Sequence, residues 1–357
     1  MDAVAIPDFP TLLDRLLDRK ALDMPEANRI MSQILDGELG PERIAAFVTA
    51  IRAKPLDAVE LAGFAQALRS HAHPVRGRGP LLDTCGTGAA RVKAFNVSTA
   101  AAFVAAAAGI RVAKHGNRSV TRPSGSADAL ESAGAQVALE PAQAERILAR
   151  HGIVFLHAPA FHPAMKHTAP VRQALGVRTV FNLLGPLANP AGATHQVVGV
   201  HDVGALRPMA EALRLLGVRD AYVLHGEPGY DEASVSGQTH SLRVQDGGIG
   251  RLTTVTPEGL GVPQHDPQTV LPVSKAEAGP LLRRILAGEP GPRSDMVAVN
   301  AAFSLHLTGR VASLQAGVTQ AQAILRSGRA AALLDAYVQS TQALQPTPSA
   351  PQAVHAT

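Results

Sequence analysis

The residue types best suited to chemistry gather in three short segments. The first runs from Asp83 through Gly86 and Gly88 to Asn96, Ser98 and Thr99; the second is Lys114-His115-Gly116-Asn117-Arg118-Ser119; the third is Tyr230-Asp231-Glu232. A glycine-bearing turn followed by Asn, Ser and Thr just ahead of an alanine run predicts a helix N-terminus. Such an end offers unpaired N–H groups and a positive dipole to an anion. In the second segment a cation, amide and imidazole donors and hydroxyls stand close together, and that set is costly to bury without a ligand. The ligand this predicts is a phosphorylated small molecule. Asp231 and Glu232 are adjacent acids, the composition of an ordinary solvated turn and equally of a Mg²⁺ site completed by phosphate oxygens and water.

Other motifs are excluded or read plainly. Gly86-x-Gly88-x-x-Arg91 lacks the third glycine of a dinucleotide loop, and no Walker-type loop is present. Cys85 is the single cysteine, which rules out an internal disulfide framework and reads as a small packing residue. His162 and His167 read as ordinary polar histidines, because no third His or Cys stands beside them.

These segments need strands to deliver them. Leu81 and Leu82 lead into the glycine turn, Ala100 to Ala108 reads as a helix, and Ile110 to Lys114 reads as a second strand. The result is a βαβ unit with polar loops at the carboxyl ends of its strands, where open parallel sheets bind ligands. Further apolar runs at Gln136 to Leu139, Ile153 to His157, Val197 to Val200 and Ala221 to His225 alternate with helical ones such as Met209 to Leu216. This predicts an α/β fold with a mostly parallel sheet covered by helices.

Ahead of that unit, Phe9 to about Ala72 is helical in rhythm, with proline and glutamate in the first turns at Pro25 and Pro41. Residues 1–74 are expected to form a small helical domain, with a dimer surface. A Pro- and Gly-rich linker leads into an α/β domain over 80–340. The turn-rich segment near 165–190 is expected to pack back onto the helical part, leaving a cleft between the two, and 341–357 to be a disordered tail.

At 357 residues and 46% hydrophobic, the chain can bury a large core. Its charge is only +4, its basic residues are scattered and it has no Trp, which argues against nucleic-acid binding. It shows neither a secretory leader pattern nor an apolar run of membrane-spanning length, so a cytoplasmic location is expected.

Taken together, Gly86-Thr-Gly88, Asn96-x-Ser98-Thr99, Lys114 to Ser119, Ser124-Gly-Ser126-Ala-Asp128, His162-Pro-Ala-Met-Lys166, Pro170-Val-Arg172, Phe181 to Pro190 and Tyr230-Asp-Glu232 closely resemble the anthranilate phosphoribosyltransferases of tryptophan biosynthesis. The likeness runs from the N-terminal helices to about Ala336. It implies the fold shared with nucleoside phosphorylases, a homodimer associating through the helical parts, and transfer of the 5-phosphoribosyl group of PRPP to the amine of anthranilate with release of pyrophosphate. By the same resemblance Gly86, Asn96, Ser98, Thr99, Lys114, Asn117, Arg118, Ser119 and Ser126 contact PRPP. Gly86, His115, Asn117 and Arg172 line the anthranilate route, and Ser98, Asp231 and Glu232 hold Mg²⁺. No general base is assigned.

The chain departs from the family pattern in one loop. The usual Gly-Thr-Gly-Gly-Asp reads Gly86-Thr-Gly88-Ala89-Ala90 here, and Ala94 replaces a Ser or Thr. A carboxylate and a hydroxyl are missing, and Ala89 costs about 1 kcal/mol if its backbone is left-handed. Arg91 and Lys93 stand close by as substitute anion contacts or as solvated charges. Two other functions stay open at this point: a phosphoribosyltransferase for another aromatic acceptor, and a non-catalytic relative that binds nucleic acid.

Overall fold

The computed structural model describes residues 8–88, 90–119 and 123–344. Ala89 and most of the expected tail, 345–357, lie outside the described residues.

Four helices open the chain: α1 (Phe9–Leu17), α2 (Met24–Asp36), α3 (Pro41–Ala53) and α4 (Ala58–Ser70). Asp8, Asp23 and Asp57 accept first-turn N–H groups at their starts, and Asp23 with Glu26 closes a reciprocal capping box. Gly37, at φ 78°, ends α2 in the left-handed conformation that glycine adopts without strain. At the crossing of α2 and α4 a Cβ on Gly63 would stand 2.6 Å from the Met24 carbonyl, so the small residue sets their approach.

The α/β part continues with β1 (Leu82–Gly86), α5 (Val97–Ala107), β2 (Val112–Gly116), α6 (Ser126–Ser132), α7 (Pro141–His151) and β3 (Ile153–His157). After α8 (Ala158–Phe161) and a 3₁₀ turn at Pro163–His167 come α9 (Ala169–Leu175) and α10 (Phe181–Leu184). The chain then returns to the sheet through β4 (His195–Gly199), α11 (Leu206–Leu215), β5 (Asp220–Gly226), β6 (Thr239–Gln245), β7 (Gly248–Ile249) and β8 (Thr253–Val255). Helices α12 (Lys275–Leu286), α13 (Pro292–Leu307), α14 (Leu314–Arg326) and α15 (Arg329–Gln342) complete it.

The strands form one sheet in the order β3-β2-β1-β4-β5-β6-β7, with β8 also on β6. Pairing is parallel from β3 to β5 and antiparallel beyond. The chain winds from β1 outward to β3, then restarts on the other flank at β4. The crevice beside β1 is therefore the switch point at which such sheets bind ligands.

Alternation along the strands splits the core in two. Tyr222 and Leu224 of β5 face α5 and the C-terminal helices, whereas Ala221 and Val223, with Val198 and Val200, face α11 and the N-terminal helices. Val171, Phe181 and Leu184 join that second core, so the 163–187 segment lies on α2, α3 and α4. Two local expectations need correction. Gln136 to Leu139 is irregular, because the Gln136 N–H goes to Thr341 Oγ1 on α15 and not to a strand. The chain is still helical at 341–342, since α15 buries Thr341.

Candidate active site

Three glycines at the carboxyl ends of β1, β4 and β5 make room for the paired acids. A Cβ on Gly86 would stand 2.6 Å from Asp231 Oδ2; one on Gly199 would overlap the Asp231 carbonyl, and one on Gly226 would crowd the Glu232 carbonyl. The 231–232 segment can thus lie directly across the strand ends. Asn300 of α13 clamps it from the far side, accepting the Ala233 N–H at 2.9 Å and donating to the Ala233 carbonyl at 2.8 Å. Asp231 in turn accepts the Gly88 N–H at 2.7 Å, tying the glycine loop to the acids.

Ser98, Asp231 and Glu232 line one small cavity of about 10 Å³ with Thr84, Cys85 and Asn300. The three residues expected to hold Mg²⁺ are therefore brought together. All are hard oxygen donors, the kind a small hard cation takes, and the space the glycines leave is filled by the 231–232 segment, which brings two of these donors to the cavity. Among the described residues no group of three or more His, Cys, Asp and Glu side chains converges, so phosphate oxygens and water would complete the shell.

Behind this cavity lies Lys114, 3% exposed. Its ammonium donates to the Thr84 carbonyl and, at 3.1 Å, to Ser98 Oγ. Burial lowers its pKa, and the nearby Asp83 carboxylate opposes that shift. Asp83 is fully buried, and burial raises its pKa. The hydroxyls of Thr99 and Thr87 are buried and find no hydrogen-bond partner among the described residues.

On the opposite side of β2, His115 turns its ring toward the 181–189 segment. Its Nδ1 lies 3.1 Å from the Gly185 carbonyl and so carries the proton, which leaves Nε2 as a buried acceptor without a partner among the described residues. The His162 ring packs 5.1 Å from it. Burial pushes both imidazoles down, His115 to about 3 and His162 to about 4, so both are neutral at pH 7. Arg172 lies with its guanidinium 5.5 Å from the Phe181 ring centre and makes no ion pair among the described residues, which suits it to an incoming carboxylate.

The remaining expected residues are spread around these two centres. Asn96 heads α5 and is bonded to Ser124; Ser126 donates to the Asn117 carbonyl, and the Ser119 N–H goes to Asp128 at 3.2 Å. Arg118 points away from the cavity: its guanidinium makes a two-bond pair with Glu131 on α6. Ala90 and Ala94 are buried, so neither position presents a polar side chain.

Sequence reasoning missed Asn300 and the glycines at 199 and 226, read His162 as an ordinary polar histidine, and gave Thr87 no role of its own within Gly86-Thr-Gly88. For His162 the signal was its place in a polar, turn-rich insert between strands. His167 packs instead on Gly37, away from the site.

Residues 78–331 match the glycosyl transferase family, a/b domain, and residues 10–72 match the helical bundle domain of the same family. An anthranilate phosphoribosyltransferase of Rubrobacter xylanophilus is 44% identical over 320 residues, covering 89% of this chain and 93% of that one. The crystal structure of the Thermus thermophilus anthranilate phosphoribosyltransferase is similar with a TM-score of 0.87 at 41% identity, over 93% of this chain and 99% of that one. The Saccharomyces cerevisiae anthranilate phosphoribosyltransferase in complex with PRPP and Mg shares the fold, with a TM-score of 0.85 at 24% identity over 94% and 98%.

Proposed function

Because the chain belongs to the glycosyl transferase family, and within it to the anthranilate phosphoribosyltransferases, we propose that it transfers the 5-phosphoribosyl group of PRPP to the amine of anthranilate. The products are N-(5-phosphoribosyl)anthranilate and pyrophosphate, in tryptophan biosynthesis. The observation that carries this reading is the meeting of Ser98, Asp231 and Glu232 in one cavity at the strand ends, with Lys114 directly behind.

The site divides the work. Asp231, Glu232 and Ser98 would hold Mg²⁺, which when bound neutralises charge on the departing pyrophosphate. Lys114, the Thr87 and Thr99 hydroxyls and the N–H groups at the start of α5 offer a fixed cationic and hydrogen-bonding lining for the phosphates. Asn96, Asn117, Ser119 and Ser126 would complete the PRPP side, and Arg118 would reach it only by leaving Glu131.

Across β2, Arg172 would take the anthranilate carboxylate, while neutral His115 offers its Nε2 as an acceptor to the amine, with the His162 ring packed beside it. An aromatic amine is uncharged at neutral pH, so positioning two substrates against each other supplies much of the rate. The helical part carries a pocket of about 230 Å³ lined by Phe9, Leu12, Ile30 and Leu39 together with Asp8, Gln33 and Arg43; the family resemblance is what supports a homodimer through the helical part. No helix among the described residues is long and apolar enough to cross a membrane, and we read the protein as cytoplasmic.

The test is pyrophosphate release from PRPP and Mg²⁺, with and without anthranilate. Anthranilate-dependent release, lost by at least about a hundredfold in Asp231→Ala/Glu232→Ala, is the expected result. Turnover of the double variant at the parent rate would sink the reading.

A further inference from the structure

The β1–β2 pairing ends early. Backbone register between these strands is confined to Leu82–Val112, whereas β1–β4 runs on to Gly86–Gly199 and β2–β3 to Gly116–His157. Past Leu82 the two strands part, and the backbone groups facing the gap need other partners.

Side chains supply them. Asp83 Oδ1 accepts the His115 N–H at 3.1 Å, Asn189 Nδ2 donates to the Ala113 carbonyl at 2.8 Å, and the Lys114 ammonium donates to the Thr84 carbonyl. The same Asn189 Nδ2 donates to Asp83 Oδ2 at 2.8 Å, and Asn189 Oδ1 accepts the Ala191 N–H at 2.9 Å. Asp83 is 0% and Asn189 1% exposed.

The geometry points to Asp83 and Asn189 as positioning residues: together they replace the missing β1–β2 ladder and fix the acceptor side of the site relative to the PRPP side. Asn189 ends the segment that carries Phe181 beneath Arg172 and the Gly185 carbonyl that orients the His115 ring. One buried amide thus ties that segment to the strand bearing Lys114 and His115. This rests on the phosphoribosyl-transfer reading above, in which the two substrates meet across β2.

Three measurements test it. In the parent chain, hydrogen exchange should find the His115 amide as protected as the amides paired between β2 and β3, although its acceptor is a side chain; exchange at loop rates would overturn the proposal. In Asn189→Ala, KM for anthranilate should rise about tenfold and kcat fall about a hundredfold, while the Kd of PRPP with Mg²⁺ moves less than about threefold. Asp83→Asn, which keeps an acceptor for His115 but sets two amide groups against each other, should raise KM for anthranilate in the same way, while the PRPP comparison rests on Asn189→Ala because the Asp83 carboxylate also favours the charged form of Lys114. If either variant loses activity only in proportion to its folded fraction, with both substrate constants unchanged, these residues are merely structural and the proposal fails.

Nitrogen-15 spectra of the histidine rings supply the third reading and require no turnover. His115 should show a single Nδ1–H tautomer in the parent and a mixture in Asn189→Ala; an unchanged ring would overturn the proposal. Should anthranilate prove not to be a substrate, the transfer reading fails by itself, and exchange and ring spectra still decide the latch.

Discussion

At the scale of single residues, the site depends on atoms that are absent as much as on those present. Gly199 has an ordinary strand backbone, so its requirement is one of space: an alanine methyl would occupy the position of the Asp231 carbonyl. Gly199→Ala should leave β4 intact but displace the acids, raising the Mg²⁺ concentration needed for half-maximal turnover by at least about tenfold; a Mg²⁺ titration beside a thermal melt checks this. The two neutral histidines set a pH dependence. Their folded pKa values, about 3 for His115 and about 4 for His162, lie below that of a free imidazole, so between roughly pH 6.5 and 4 the unfolded chain binds protons that the folded chain does not. Stability should be complete above pH 6.5 and fall on acidification, by up to about 1.4 kcal/mol per pH unit for each ring. Urea melts at pH 7.0, 5.5 and 4.5 should show this slope, and His162→Gln should flatten it.

At the scale of elements, buried charge separates parts that merely fold from parts that act. Lys54 and Glu60 form an ion pair at 2.6 Å with both side chains 3% exposed, and Glu60 also accepts the Leu22 N–H at 2.9 Å, so this pair pins the α1–α2 connection to α4, away from the site. Lys54→Met should destabilise the chain by about 3–5 kcal/mol by leaving a buried carboxylate unpaired, and Lys54→Met/Glu60→Gln should recover most of that loss, since the amide still serves Leu22. Denaturant midpoints with an unchanged slope are the check. Elements of this kind were legible where pattern and caps agree: the proline starts of α2 and α3, the alanine helix α5 and the run Ile153–His157 all stand where the sequence puts them. Gln136 to Leu139 has strand composition but meets α15 instead of a strand, a tertiary choice that local pattern does not encode. The site divided in the same way. Motif residues Ser98, Lys114, Asp231 and Glu232 converge, whereas His162 and Asn300 owe their places to chain segments folding back from far along the sequence.

At the scale of the whole molecule, the helical part and the sheet share a core, and this decides how the protein should come apart. Phe47, Phe64 and Leu68 belong to the same buried cluster as Val198, Val223, Leu242 and the inner face of α11, with Phe181 and Leu184 between them. Burial of that extent is worth on the order of 25 cal/mol per Å² of apolar surface, so the sheet side loses much of its support if the bundle is taken away. A chain starting at residue 75 should therefore bind a hydrophobic dye and aggregate at micromolar concentration, although it retains every strand and the residues that line the Asp231 cavity. The full chain should unfold in one transition by both far-ultraviolet ellipticity and tyrosine fluorescence. Two separated transitions, with the α/β part surviving alone, would mean that the bundle is an appendage. A single transition would mean that the acceptor side, carried by the 163–189 segment between the two parts, is held in place by the cooperativity of the fold, so a destabilised bundle should raise KM for anthranilate before it weakens PRPP binding.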